Sequence, residues 1–120
     1  METLKLNYEF KNVFDRGKYY IGNQIIVYVL KNKFDYNRIG IAISSKLCNA
    51  VNRNHIKRLI REAYRNNIGF QDINGYDIVI IWNKKEDFRN ASYKVIYDDF
   101  YKILKKIGNI QVKWENYVFF

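Results

Sequence analysis

The residues best placed to do chemistry lie in one stretch, Ser44–Arg65, reading SSKLCNAVNRNHIKRLIREAYR. It holds Lys46, Arg53, Lys57, Arg58, Arg61 and Arg65, six of the chain's 21 basic residues, against the lone acid Glu62. On a helix advancing about 100° per residue, Arg53, Lys57, Arg61, Arg65 and Arg58 fall within an arc of roughly 140°. Ile56, Leu59, Ile60, Ala63 and Tyr64 recur at the i, i+3, i+4 spacing of a core-facing stripe. A helix with a buried side and a nearly acid-free cationic side suits a polyanion. Six cations meeting phosphates would give a log–log salt slope of roughly −4 to −5 through counterion release. Arginine forks onto phosphate oxygens, whereas lysine acts as a point charge. Asn54 adds a neutral donor and acceptor among the cations. Lys46 precedes the helix N-terminus, whose N–H groups favour anions, and Ser44 and Ser45 add hydroxyls.

Protein-borne hydrolysis has weaker support. The candidate acids are Asp72, Asp77, Glu86, Asp87, Asp98 and Asp99. Adjacent Asp98 and Asp99 diverge on a helix, and two-metal cleavage needs convergent carboxylates. Cys48 and His55 are the sole cysteine and histidine, too few for a typical four-ligand zinc site and none for an internal disulfide. No catalytic residue and no metal ligand is therefore assigned.

A chain of 120 residues with 48% apolar residues can bury one core, so residues 1–120 are read as a single domain, with 109–120 an extension of uncertain role. The net charge of +9 points to nucleic acid. No run approaches the ~20 apolar residues of a membrane span, and METLKLNYEF lacks the apolar core of a signal peptide, so a cytoplasmic location is expected.

The elements that must position the basic segment follow from periodicity. Leu6–Arg16 reads as a helix with Leu6, Phe10, Val13 and Phe14 on one face and Gly17 past its end. Lys18–Ile21 and Gln24–Lys31 read as strands around a Gly22-Asn23 turn. In the second, Ile26, Tyr28 and Leu30 face one way and Ile25, Val27 and Val29 the other. Arg38–Ser44 is a third strand. Asn49 caps the basic helix, which runs to about Asn66. Tyr76–Trp82 suits a sheet interior. Ala91–Ile107 is a second amphipathic helix, and the 109–120 segment has the composition of a further strand. The order α-β-β-β-α-β-α describes an α+β domain with helices on a mostly antiparallel sheet. Phe10, Phe14 and Tyr28 fit either a core or an open groove on which unpaired bases stack for about 1–3 kcal/mol each.

The basic segment resembles the protein component of bacterial ribonuclease P. The family pattern S-x-K-x-x-x-N-A-V-x-R-N-x-x-K-R-x-x-R is met here by Ser44, Lys46, Asn49, Ala50, Val51, Arg53, Asn54, Lys57, Arg58 and Arg61. Phe10-x-x-x-Phe14 and Ile26-x-Tyr28 add to the likeness, which spans about residues 4–107. The resemblance implies a left-handed β-α-β crossover around the basic helix, against the usual right-handed preference. It implies RNA contacts by Lys46, Asn49, Arg53, Asn54, His55, Lys57, Arg58, Arg61 and Arg65. It implies a cleft of Phe10, Phe14, Ile26, Tyr28 and Ser44 for the 5′ leader of precursor tRNA. The catalyst would be the partner, a ribonuclease P RNA with its own magnesium, while the protein binds no cofactor and needs no membrane or obligate protein partner. His55 departs from the family's usual Arg-Asn-Arg triplet, and Ser45 stands where a second Lys is common. The alternatives are a structural or ribosomal RNA-binding protein, a DNA-binding regulator lacking helix-turn-helix geometry, and a metal-dependent nuclease.

Overall fold

The computed structural model describes residues 2–67, 69–70 and 73–107. In chain order its elements are β1 (Glu2–Thr3), α1 (Asn7–Arg16), β2 (Lys18–Ile21), β3 (Ile25–Lys31), β4 (Arg38–Ala42), α2 (Ala50–Asn66), β5 (Tyr76–Trp82), a short 3-10 turn (Phe88–Asn90) and α3 (Tyr93–Lys106). The expected α+β order holds, with β1 added in front. Two residues are too few for a visible alternation, which is why periodicity misses β1. The third strand stops at Ala42 instead of Ser44, and the last helix starts at Tyr93 behind its cap, Ser92. The 109–120 segment lies outside the described residues.

The strands form one mixed sheet in the order β1-β4-β5-β3-β2. The antiparallel ladders β2–β3 and β3–β5 pair four and seven residues; the parallel ladders β1–β4 and β4–β5 pair two and five. Neighbouring parallel strands β4 and β5 are joined through α2, the crossover implied by the resemblance.

Strand alternation sends side chains to two unequal cores. Ile25, Val27 and Val29 of β3 join Ile78, Ile80 and Trp82 of β5 under α2 and α3, where Ile56, Ile60, Ile96, Phe100 and Ile103 are buried. Among the described residues the opposite face is covered by α1 and the segment before it: Leu4 and Val13 are buried on Val79, with Phe10, Tyr28, Leu30 and Ile81 half-buried around them. Ten residues of helix cannot cover that face, and among the described residues its far half stays open.

Two polar devices, one half-buried and one buried, hold the layers. The Glu9 carboxylate accepts the Lys5 and Leu6 N–H groups at the start of α1, both at 2.9 Å, and pairs with Arg38 at 2.7 Å. Those N–H groups, and then Arg38, hold Glu9 below the ordinary value of 4.5. Arg38 in turn forks onto Asp77 of β5 at 2.8 and 2.6 Å. On the other face, Asp99 of α3 accepts the N–H groups of Asn23, Gln24 and Ile25 at 2.9, 2.7 and 3.2 Å, fixing the β2–β3 turn. Gly22 is required there, because a Cβ would lie 2.5 Å from the Asp99 carboxyl carbon.

Candidate nucleic-acid interface

Asn49 starts α2 as expected: its side-chain oxygen accepts the Asn52 N–H at 2.9 Å. Ile56, Ile60 and Ala63 are buried against the sheet and α3, so the helix is fixed in azimuth. The outward ridge that results carries Asn54, His55, Arg58, Arg61 and Arg65, all exposed. Arg53 and Lys57 are half-buried, because on the wheel they border Ile60 and Tyr64. The ridge is therefore turned away from the centre that sequence alone assigned to it.

Individual roles differ along this surface. One nitrogen of Arg53 donates to the Cys48 carbonyl at 2.6 Å, so Arg53 braces the loop between β4 and α2 as well as adding charge. Asn49 is committed to its cap. Arg58 donates toward His55 Nδ1 at 3.3 Å, which makes that nitrogen an acceptor. Lys46 is exposed on the loop, its N–H given to the Ser44 hydroxyl at 3.2 Å. Among the described residues Lys57, Arg61 and Arg65 have no carboxylate partner, and Glu62 pairs with none of them. These are cations without internal neutralisation, the condition for binding external phosphate.

The second surface is the open half of the α1 face. Register places Ala42, Ile81, Ile26 and Ile21 in one row across β4, β5, β3 and β2. The next row, toward α1, is Gly40, Val79, Tyr28 and Tyr19. Phe14 meets Tyr28 edge-on at 5.0 Å, and Tyr19 lies 5.7 Å from Tyr28. Phe10 rests on Gly40, where a Cβ would come within 2.5 Å of its ring. Phe14, Tyr19 and Ile21 are 36%, 60% and 59% exposed, a sizeable apolar surface to leave in water. Phe10, Phe14, Ile26 and Tyr28 thus share this face of the sheet. Ser44 lies two residues beyond the end of β4, is exposed and stands outside both rows. Tyr19 and Ile21 were missed; the two-residue alternation of KYYI, set in register with Tyr28 and Ile26, would have found them.

The acids do not converge. Asp77 is held by Arg38 and Asn32, Asp87 by Arg89, Asp98 by Lys94, and Asp99 by backbone N–H groups. Asp72 lies outside the described residues. Among the described residues no group of three or more His, Cys, Asp or Glu side chains is disposed to hold a metal. No described helix is long and apolar enough to cross a membrane.

The sequence and the fold are both similar to those of known proteins. The family model described as Ribonuclease P matches residues 1–108. A ribonuclease P protein component from Clostridioides difficile is 39% identical over 103 residues, covering 86% of this chain and 89% of that one. One from Fusobacterium nucleatum is 42% identical over 107 residues, covering 88% and 96%. The solved ribonuclease P protein of Thermotoga maritima superposes with a TM-score of 0.75 at 33% identity, covering 89% of this chain and 98% of that one.

Proposed function

Because the chain belongs to the ribonuclease P protein family, we propose that it is the protein subunit of a ribonuclease P, the RNA-based endonuclease that removes 5′ leaders from precursor tRNA. The reading is carried by one observation: the unneutralised ridge of α2 and the open row of the sheet are both present on one chain. The ridge suits a structured RNA, through phosphates at Arg58, Arg61 and Arg65. Lys46 adds charge beside the N-terminus of α2, where backbone N–H groups favour an anion.

The row suits a single strand. Phe14, Tyr19 and Tyr28 offer ring faces and edges, and Ile21 and Ile26 an apolar floor. Stacking on such a surface tolerates any base, as variable leaders require. Tyr28 adds a hydroxyl for a phosphate or base edge.

The protein's contribution is binding and orientation. Its cations offset repulsion between two RNAs, and the row holds the leader so that the scissile bond lies against the RNA partner. The chemistry itself would fall to magnesium held by that RNA, which would activate water and stabilise the leaving oxygen. No step is assigned to the acids of this chain: Asp77, Glu86, Asp87, Asp98 and Asp99 are each engaged within the fold. Such a particle works where tRNA is transcribed, in the cytoplasm.

The test is reconstitution with the ribonuclease P RNA of the same organism at low magnesium, following cleavage of precursor tRNA. The expected outcome is correct 5′ processing that requires the RNA and is stimulated by the protein. Cleavage by the protein alone, or no stimulation, contradicts the reading.

A further inference from the structure

One groove belongs to neither of these surfaces. It measures about 420 Å³ and lies where the end of α1 meets β2 and the end of β3. Arg16, Lys18 and Lys31 bring three cations to it, Tyr20 and Tyr76 two rings, and Ile107 after α3 an apolar wall. Strand alternation sets Lys18, Tyr20, Lys31 and Tyr76 on the α3 side of the sheet, opposite the face on which α1 packs. The volume is in the range of small-ligand sites and admits a base with its sugar.

Three features define what fits. First, no carboxylate lines the groove, and none of its three cations has a carboxylate partner among the described residues. Arg16 gives one nitrogen to the Asn12 side-chain oxygen at 3.4 Å and stands in the last turn of α1, where the helix dipole itself favours a cation. Lys18 and Lys31, both exposed, have no such local reason for their charge. An external anion relieves the repulsion among the three. Second, Tyr20 and Tyr76 pack against the large core and stay half-buried, so their rings are held in place with part of each open at the groove. A phosphate alone has no use for ring surface, and a duplex hides its base faces, so an unpaired nucleotide is the matching ligand. Third, β2 is an edge strand among the described residues, and the row Gly40, Val79, Tyr28, Tyr19 ends on it. Lys18 and Tyr20 flank Tyr19 and face the other side. A single strand that follows the row from Tyr28 to Tyr19 therefore leaves the sheet beside the groove.

We propose that this groove takes a nucleotide of the 5′ leader further from the cleavage site than those on the row, its phosphate on Lys18 and Lys31 and its base against the tyrosine rings. The leader thus wraps the β2 edge. The inference rests on the functional reading above and extends it to the other side of the sheet. The leader is chosen over the RNA subunit because no residue of α2 lines the groove, whereas β2 contributes to both the row and the groove.

The experiment measures affinity of the protein–RNA particle for precursor tRNAs whose leaders are lengthened one nucleotide at a time, for wild type and for the Lys18→Ala, Lys31→Ala double variant, with melting curves to confirm folding. The double variant is expected to lose about fivefold or more with long leaders, and nothing with leaders short enough to end on the row. Its salt slope with long leaders is expected to fall by about 1 to 2, as for two phosphates of a single strand. An equal loss at every leader length, a loss of affinity for the RNA subunit itself, or no loss at all overturns the proposal. A wild-type particle indifferent to leader length counts against the functional reading as well, whereas a normal wild-type response that the double variant retains refutes this site alone. Should the double variant fail to fold, wild-type particles carrying 4-thiouridine at successive leader positions decide. Crosslinks to the peptide containing Lys18 and Tyr20, from positions beyond those that reach Tyr28, support the site, and crosslinks confined to the α1 face of the sheet refute it.

Discussion

Arg61 and Arg65 illustrate how little a residue's type says until its neighbours are known. Arg38, Arg53 and Arg61 are the same side chain, yet Arg38 is chelated by Asp77, Arg53 is tied to the Cys48 carbonyl, and Arg61 has no carboxylate partner among the described residues. Arg61→Ala is therefore expected to lower affinity for the RNA subunit and to reduce the magnitude of the salt slope by about 1, with melting unchanged. Binding measured between low and moderate salt checks this, and an unaltered slope contradicts direct phosphate contact. Tyr28→Ala removes the ring that Phe14 and Tyr19 pack around, and is expected to weaken precursor tRNA binding while leaving affinity for the RNA subunit intact. Global unfolding of that variant would mean that Tyr28 is core and not platform. At this scale the family pattern made the basic residues legible. The cap at Asn49 was legible too, from its place ahead of the apolar stripe, but not that Arg53 braces a loop, which depends on where the backbone turns.

Elements are positioned by contacts far apart in sequence, and there periodicity is blind. The stripes of α2 and α3 were readable because burial repeats every three or four residues. Asp99 was not, because its partners on the β2–β3 turn lie more than 70 residues away. Asp99→Ala strips a buried acceptor from three N–H groups and is expected to cost about 2–4 kcal/mol of stability, as seen in denaturant titration. A loss under 1 kcal/mol would show that water replaces the carboxylate. Glu9 gives a pH signature at the start of α1. Its folded value is depressed below 4.5, so its contribution is complete above that pH and is lost as the pH falls through the lower folded value. Glu9→Gln is expected to lower the melting temperature at neutral pH and to flatten the acid limb of the stability curve. An unchanged acid limb would show that Glu9 has the same affinity for protons folded and unfolded.

The whole molecule places the cationic ridge of α2 and the open apolar row on opposite sides of one sheet. Among the described residues three α-helices are divided unequally, two over the large core and a short one over the small core, and that inequality leaves the row from Ala42 to Ile21 uncovered by them. A larger helix on that face would bury the row and remove the cleft. The parallel pairing of β4 and β5 around α2 was available only through the family resemblance, because strand order is a property of long-range pairing. The account stands or falls on whether both surfaces are used at once. The most direct test is the affinity of the protein–RNA particle for tRNA carrying leaders of increasing length, with the RNA subunit alone as control. The account predicts affinity that rises with the first several leader nucleotides when protein is present, and a rise that Tyr28→Ala abolishes. Equal affinity for precursor and mature tRNA, with and without the protein, would contradict it.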